Sequence, residues 1–163
     1  MRAMRLQSAM EYLTTYGWAI LIIAIALAAL YALGVFNSAS FTPDICSLPA
    51  DFGCLSADLF ASTSNVVVNI QQSTPTAINI TAIGCSNDGT TSLMNQYSGA
   101  NQIALQIGGN YTFNVPCYTD SATSTLFSGS VGQVYSGYLV INYTDLQSGF
   151  HHTISGRLVQ KVV

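Results

Sequence analysis

Charge is scarce in this sequence. Four Lys and Arg and seven Asp and Glu make up 7% of its 163 residues, against roughly 25% in ordinary soluble proteins. Beyond Pro43 only Arg157 and Lys161 are basic, set against Asp44, Asp51, Asp58, Asp88, Asp120 and Asp145. A nucleic-acid surface rests on Lys and Arg neutralising phosphates, so this composition excludes nucleic acid as a partner. Proline is absent before Pro43, which leaves residues 1–42 free to form one unbroken helix with Gly17 its weak point. C-x-x-C and H-E-x-x-H spacings, a nucleophile elbow and a phosphate-binding glycine loop are all missing. The residues therefore offer no metal centre, no cofactor site and no catalytic constellation, and the chain reads as a protein that is not an enzyme. No repeat at a solenoid period is visible either.

What the chain has instead is a long apolar beginning. From Leu13 to Phe36 run 24 uncharged residues, enough for a helix to cross a bilayer core of about 30 Å. A cleaved secretory signal has a shorter apolar region and a small-residue cleavage site, whereas here Tyr31-Ala32-Leu33-Gly34-Val35-Phe36 continues without a break. The pattern predicts a retained helix. Arg2 and Arg5 precede it and nothing basic follows until Arg157, so the positive-inside rule leaves the N-terminus cytoplasmic and the bulk of the chain outside. The segment is apolar all round, hence destined for lipid or for other helices. Ala24, Ala28 and Ala32 form a stripe of small residues along one face, of the kind that lets helix backbones approach closely. Glu11 stands alone at its mouth. A carboxylate at membrane depth is costly unless paired, so it marks a functional position with a partner to be found.

The residues around that carboxylate, Gln7-Ser8-Ala9-Met10-Glu11 followed by Tyr12-Leu13-Thr14-Thr15-Tyr16-Gly17-Trp18, resemble the start of archaeal type IV pilin-like proteins carrying a class III signal peptide. The resemblance covers about the first 30 residues of the sequence. It implies that a prepilin peptidase removes residues 1–6 by cutting between Leu6 and Gln7, leaving the helix on the mature protein. The new α-amino group of Gln7 then lies one helical turn from Glu11, and in a bundle of helices the amine of one subunit pairs with the Glu11 of another. The implied partners are the peptidase, the assembly machinery, membrane lipid before assembly, and copies of the chain itself in a filament.

Past Phe36 the pattern changes from helical to alternating. Val66, Val68 and Ile70 face one way while Asn65, Val67 and Asn69 face the other, and Ile78, Ile80 and Ala82 alternate with Asn79 and Thr81, in the period of half-buried strands. Runs around Tyr135–Asp145 and Ile154–Val162, separated by Leu146-Gln147-Ser148-Gly149, predict a hairpin. A second is predicted where Ile103, Leu105 and Ile107 meet Tyr111, Phe113 and Val115 across Gly108-Gly109. Thr119–Gln133 reads as a surface loop. The expected fold class is α+β, a long N-terminal hydrophobic α-helix followed by an antiparallel β-sandwich (Ig-like) head. Its expected divisions are a leader at 1–6, a transmembrane and polymerisation helix at 7–37, and an extracellular head at 38–163.

Four cysteines in a segment expected outside the cell favour disulfides. Four cysteines allow three pairings; the short loop holding Pro49 and Gly53 favours Cys46 with Cys54, and places beside the ends of predicted strands favour Cys85 with Cys117. Asn79-Ile80-Thr81, Asn110-Tyr111-Thr112 and Asn142-Tyr143-Thr144 are acceptor sequons for N-glycans. His151 and His152 are adjacent on a strand, so they point to opposite faces and cannot readily chelate one ion.

The expectation is a structural subunit of an archaeal type IV-like pilus, inserted in the cell membrane as a precursor and later extracellular. Archaellins share the same plan. Its rivals are an unpolymerised, single-pass cell-surface binding protein and a secreted hydrolase behind a signal.

Overall fold

The computed structural model describes residues 2–36 and 41–163, with the side chains of 2–9 and 13 outside the description. Two compact units result, one ending at Phe41 and one running from Thr42 to Val163. The boundary expected at 37/38 lies outside the described residues. Among the described residues the first unit holds one helix, α1 (Arg2–Ala32). No proline interrupts it, and the Thr14 and Thr15 hydroxyls bond back to helix carbonyls at Met10 and Glu11, which satisfies polar groups that lipid would not. The chain then turns through Gly34, whose φ of 71° is open to glycine at little cost.

The second unit holds ten strands: β1 (Ile45–Ser47), β2 (Phe52–Phe60), β3 (Asn65–Gln72), β4 (Ile78–Ser86), β5 (Asn95–Gln96), β6 (Ile103–Leu105), β7 (Asn110–Asp120), β8 (Thr125–Leu126), β9 (Val134–Asp145) and β10 (His151–Lys161). They form one path, β1-β10-β9-β4-β7-β3-β2, with β5 and β6 added to β4 and β8 to β7. The path curls until its ends meet. Leu59 of β2 bridges Val162, Val163 N donates to Leu59 O at 2.9 Å, and Ala61 N donates to Val163 O at 3.1 Å. The result is an α+β chain whose head is a nearly barrel-like mixed sheet. Its inner face buries Val66, Val68, Ile70, Ile78, Ile80, Phe113, Val115, Leu139, Ile141 and Leu158.

Three local expectations are corrected. First, the head is not purely antiparallel, because β4 and β7 run parallel where Cys85 faces Cys117 and Ser86 faces Tyr118. Strand β7 reaches that contact by changing partner along its length: Asn110–Pro116 pairs with β3, and Cys117 begins the pairing with β4. Second, Ala82 does not share the face of Ile78 and Ile80. The register along β9 skips Thr81, since Ile80 faces Tyr143 and Ala82 faces Asn142. A bulge shifts every later side chain to the other face, so Ile83 and Cys85 enter the core while Ala82 packs separately with Met94 and Val140.

Third, β6 and β7 do not form a hairpin. β6 pairs with β4 and β7 with β3. The Gly108-Gly109 turn is anchored to the end of β3, where Gly108 N donates to Gln72 O at 3.0 Å and Gln72 N donates to Gly109 O at 2.9 Å. Gln72 follows Val66, Val68 and Ile70 in the inward phase and is fully buried. Its amide is used on both sides, Nε2 donating to Thr76 O at 2.6 Å and Oε1 accepting from Gly108 N at 3.3 Å, which removes the penalty of burying it. The β9–β10 hairpin forms as its turn residues predict.

Candidate assembly helix and head surface

Every described side chain of α1 from Met10 to Ala32 is exposed, and this 23-residue span is apolar enough to cross a membrane. At about 1.5 Å rise per residue it measures about 34 Å, against a hydrocarbon core of about 30 Å. Glu11 is exposed on it, one position before Tyr12, whose ring stacks on Tyr16 with centroids 5.6 Å apart. Both tyrosines sit at the polar end of the apolar span, where amphipathic rings occupy the headgroup level of a bilayer. Ala24, Ala28 and Ala32 recur at helical spacing on α1 and are all exposed. Leu6 and Gln7 lie within α1 by backbone, with their side chains outside the described residues.

Cys46 is joined to Cys54 and Cys85 to Cys117, with no free cysteine among the described residues. Their positions are informative. Cys46 is on β1 and Cys54 on β2, the two end strands of the path. Cys85 and Cys117 face one another across the two-residue parallel contact of β4 and β7. Each bridge thus reinforces a junction with little hydrogen-bonded ladder of its own. Persistent disulfides indicate an oxidising compartment.

The three sequons occupy different environments. Asn79 is half-buried on β4 between β6 and β9, and its Nδ2 donates to Gln102 Oε1 at 3.1 Å. Asn142 is half-buried on β9 between β4 and β10, and its Oδ1 accepts from Thr153 Oγ1 at 2.8 Å. Asn110 opens β7 and is exposed. His151 and His152 diverge as their strand requires: His151 Nδ1 lies 2.7 Å from Thr144 Oγ1, and the His152 ring stacks on Tyr143 with centroids 5.1 Å apart. No group of three or more His, Cys, Asp or Glu among the described residues could hold a metal ion.

Carboxylates pin the head's turns. Asp145, at the end of β9, accepts from Thr76 Oγ1 at 2.6 Å, Gln147 N at 2.7 Å and Ser148 N at 2.9 Å. These donors, the Thr76 hydroxyl foremost, hold its pKa down at about 2. Asp88 is lowered chiefly by the Ser121 hydroxyl, and Asp120 chiefly by Thr123. Burial raises the pKa of Tyr135, whose hydroxyl donates to Tyr118 O at 3.1 Å beside the β4–β7 junction. Sequence reasoning passed over Asp145 and Gln72. The signals were a carboxylate just before a Gln-Ser-Gly turn, and an amide in phase with three buried aliphatic residues.

No family model matches the chain, and comparison with characterised proteins finds no similar sequence.

Proposed function

We propose that this chain is a structural subunit of an archaeal type IV-like pilus, cut between Leu6 and Gln7 and polymerised through α1. The observation that carries the reading is an apolar helix of membrane length with no described side chain buried and a single carboxylate, Glu11, near its start. Such a surface requires lipid before assembly and neighbouring helices after it. In this reading the helices form the filament's dry core, the heads its sheath, and the chain has no catalytic role. The head is taken as an Ig-like sandwich drawn toward closure, its layers β2-β3-β7 and β1-β10-β9-β4 joined through β7; the strand path supports this.

The Gln7 amine of one subunit pairs with Glu11 of the next. Removing one member of a poorly solvated ion pair typically costs about 3–5 kcal/mol. Glu11→Ala therefore leaves insertion, leader removal and head folding intact and sharply reduces assembly. Filaments per cell, counted by electron microscopy at equal levels of processed protein, test this; undiminished assembly discards the pairing. Mass spectrometry of the mature N-terminus separates the reading from its rivals, with Gln7 expected first. An intact Met1 points to an anchored surface protein and a cut beyond Gly34 to a secreted one.

A further inference from the structure

We infer that Asn110, alone of the three sequons, is the site at which the folded head accepts an N-linked glycan. The inference needs the head to lie outside the membrane but does not need the chain to polymerise. Transfer to a sequon requires the Asn amide and the hydroxyl two residues on to be presented together on a reachable stretch of chain. Asn79 and Asn142 fail this on backbone and side chain alike. Both lie on strands paired along both edges, and both side-chain amides are hydrogen-bonded. Their threonines are engaged too: Thr81 Oγ1 donates to Asn142 O at 3.1 Å, and Thr144 Oγ1 meets His151 Nδ1 at 2.7 Å. Lifting either sequon toward an enzyme means opening the centre of the sheet.

Asn110-Tyr111-Thr112 differs at each of these points. All three residues are exposed, and neither Asn110 nor Thr112 makes a side-chain hydrogen bond among the described residues. The segment follows the Gly108-Gly109 turn and is paired to β3 on one edge only, since β7 meets β4 no earlier than Cys117. An extended strand with an open edge can be gripped by its backbone without unfolding the head. The co-reactant is a polyprenyl phosphate-linked or diphosphate-linked oligosaccharide. The Asn110 amide nitrogen bonds to the anomeric carbon, the carbon–oxygen bond to the lipid phosphate breaks, the phosphate leaves with the electron pair, and the amide proton passes to solvent.

The sequence suits a direct test. After reduction, cleavage on the N-terminal side of aspartate yields 58–87, 88–119 and 120–144, each holding one sequon. Mass spectrometry of full-length protein from the cells that make it is expected to find a saccharide mass added to 88–119 and none to the other two. Asn110→Gln and Thr112→Ala abolish the addition, and Thr112→Ser retains it. An unmodified 88–119, or a saccharide on 58–87 or 120–144, overturns the inference. Because the readout is mass on a peptide, a chain that forms no filaments leaves it standing.

Discussion

Asp145 shows how one side chain sets a local pH dependence. Its carboxylate caps the β9–β10 turn and ties it to Thr76, and its pKa falls from an ordinary 3.8 to about 2. A depressed carboxylate pKa means that the folded state binds a proton less readily than the unfolded chain. The stability it contributes is therefore complete above about 4 and is lost as pH falls through about 2. Asp88 and Asp120 shift in the same direction. Urea unfolding midpoints are expected to fall between pH 5 and pH 2, and Asp145→Asn to lower the midpoint at pH 7 while flattening that acid limb. A variant whose acid limb matches the wild type in steepness would assign the dependence to other groups. Asn retains an oxygen for the Gln147 and Ser148 amides but presents an NH2 group in place of Oδ2, so the variant removes both the charge and the acceptor of the Thr76 hydroxyl.

At the scale of the element, the two disulfides have different loads. Cys85–Cys117 spans 32 residues and Cys46–Cys54 spans 8. In the chain-entropy account these separations correspond to about 3.7 and about 2.5 kcal/mol. Cys85→Ser is thus expected to lower the denaturation midpoint more than Cys46→Ser, which equilibrium unfolding of the two variants measures; the reverse order would place the larger effect in closure of the path ends. Legibility varied along the same elements for physical reasons. Strand β3 was plain because one face is fully buried and the other half-buried and mostly polar, and the β9–β10 hairpin because its turn residues match its geometry. The bulge at Thr81 left no trace in the pattern, since Ile80-Thr81-Ala82 alternates whether or not a residue is skipped. Gly108-Gly109 resembled a hairpin turn because glycine permits many turns, and only a long-range contact with Gln72 decides which one forms. Strands β1, β5 and β8 are too short to show a period. Of the candidate site, the helix and its carboxylate were legible from composition alone, whereas the difference among the three sequons depended on strand neighbours far away in sequence.

For the whole molecule, the contrast between the units predicts their behaviour apart. Residues 42–163 carry a closed core, while α1 buries none of its described apolar side chains from Met10 onward. The full chain is expected to stay with membranes through an alkaline carbonate wash, and a fragment of 42–163 to fold as a soluble monomer, which fractionation and size-exclusion chromatography check. A full chain released by carbonate would argue against a membrane-spanning helix. The union of Cys46 with Cys54 has a mechanical side. Any tension delivered along the chain from the helix arrives at Thr42 and meets a covalent link at Cys46, one that passes it to strand β2 at the far end of the sheet path. The sheet is therefore loaded from both ends at once. Traction can peel only the few residues ahead of Cys46 before it must deform the nearly closed sheet, so a head fastened to a surface would stretch as a unit and would not unravel from its first strand.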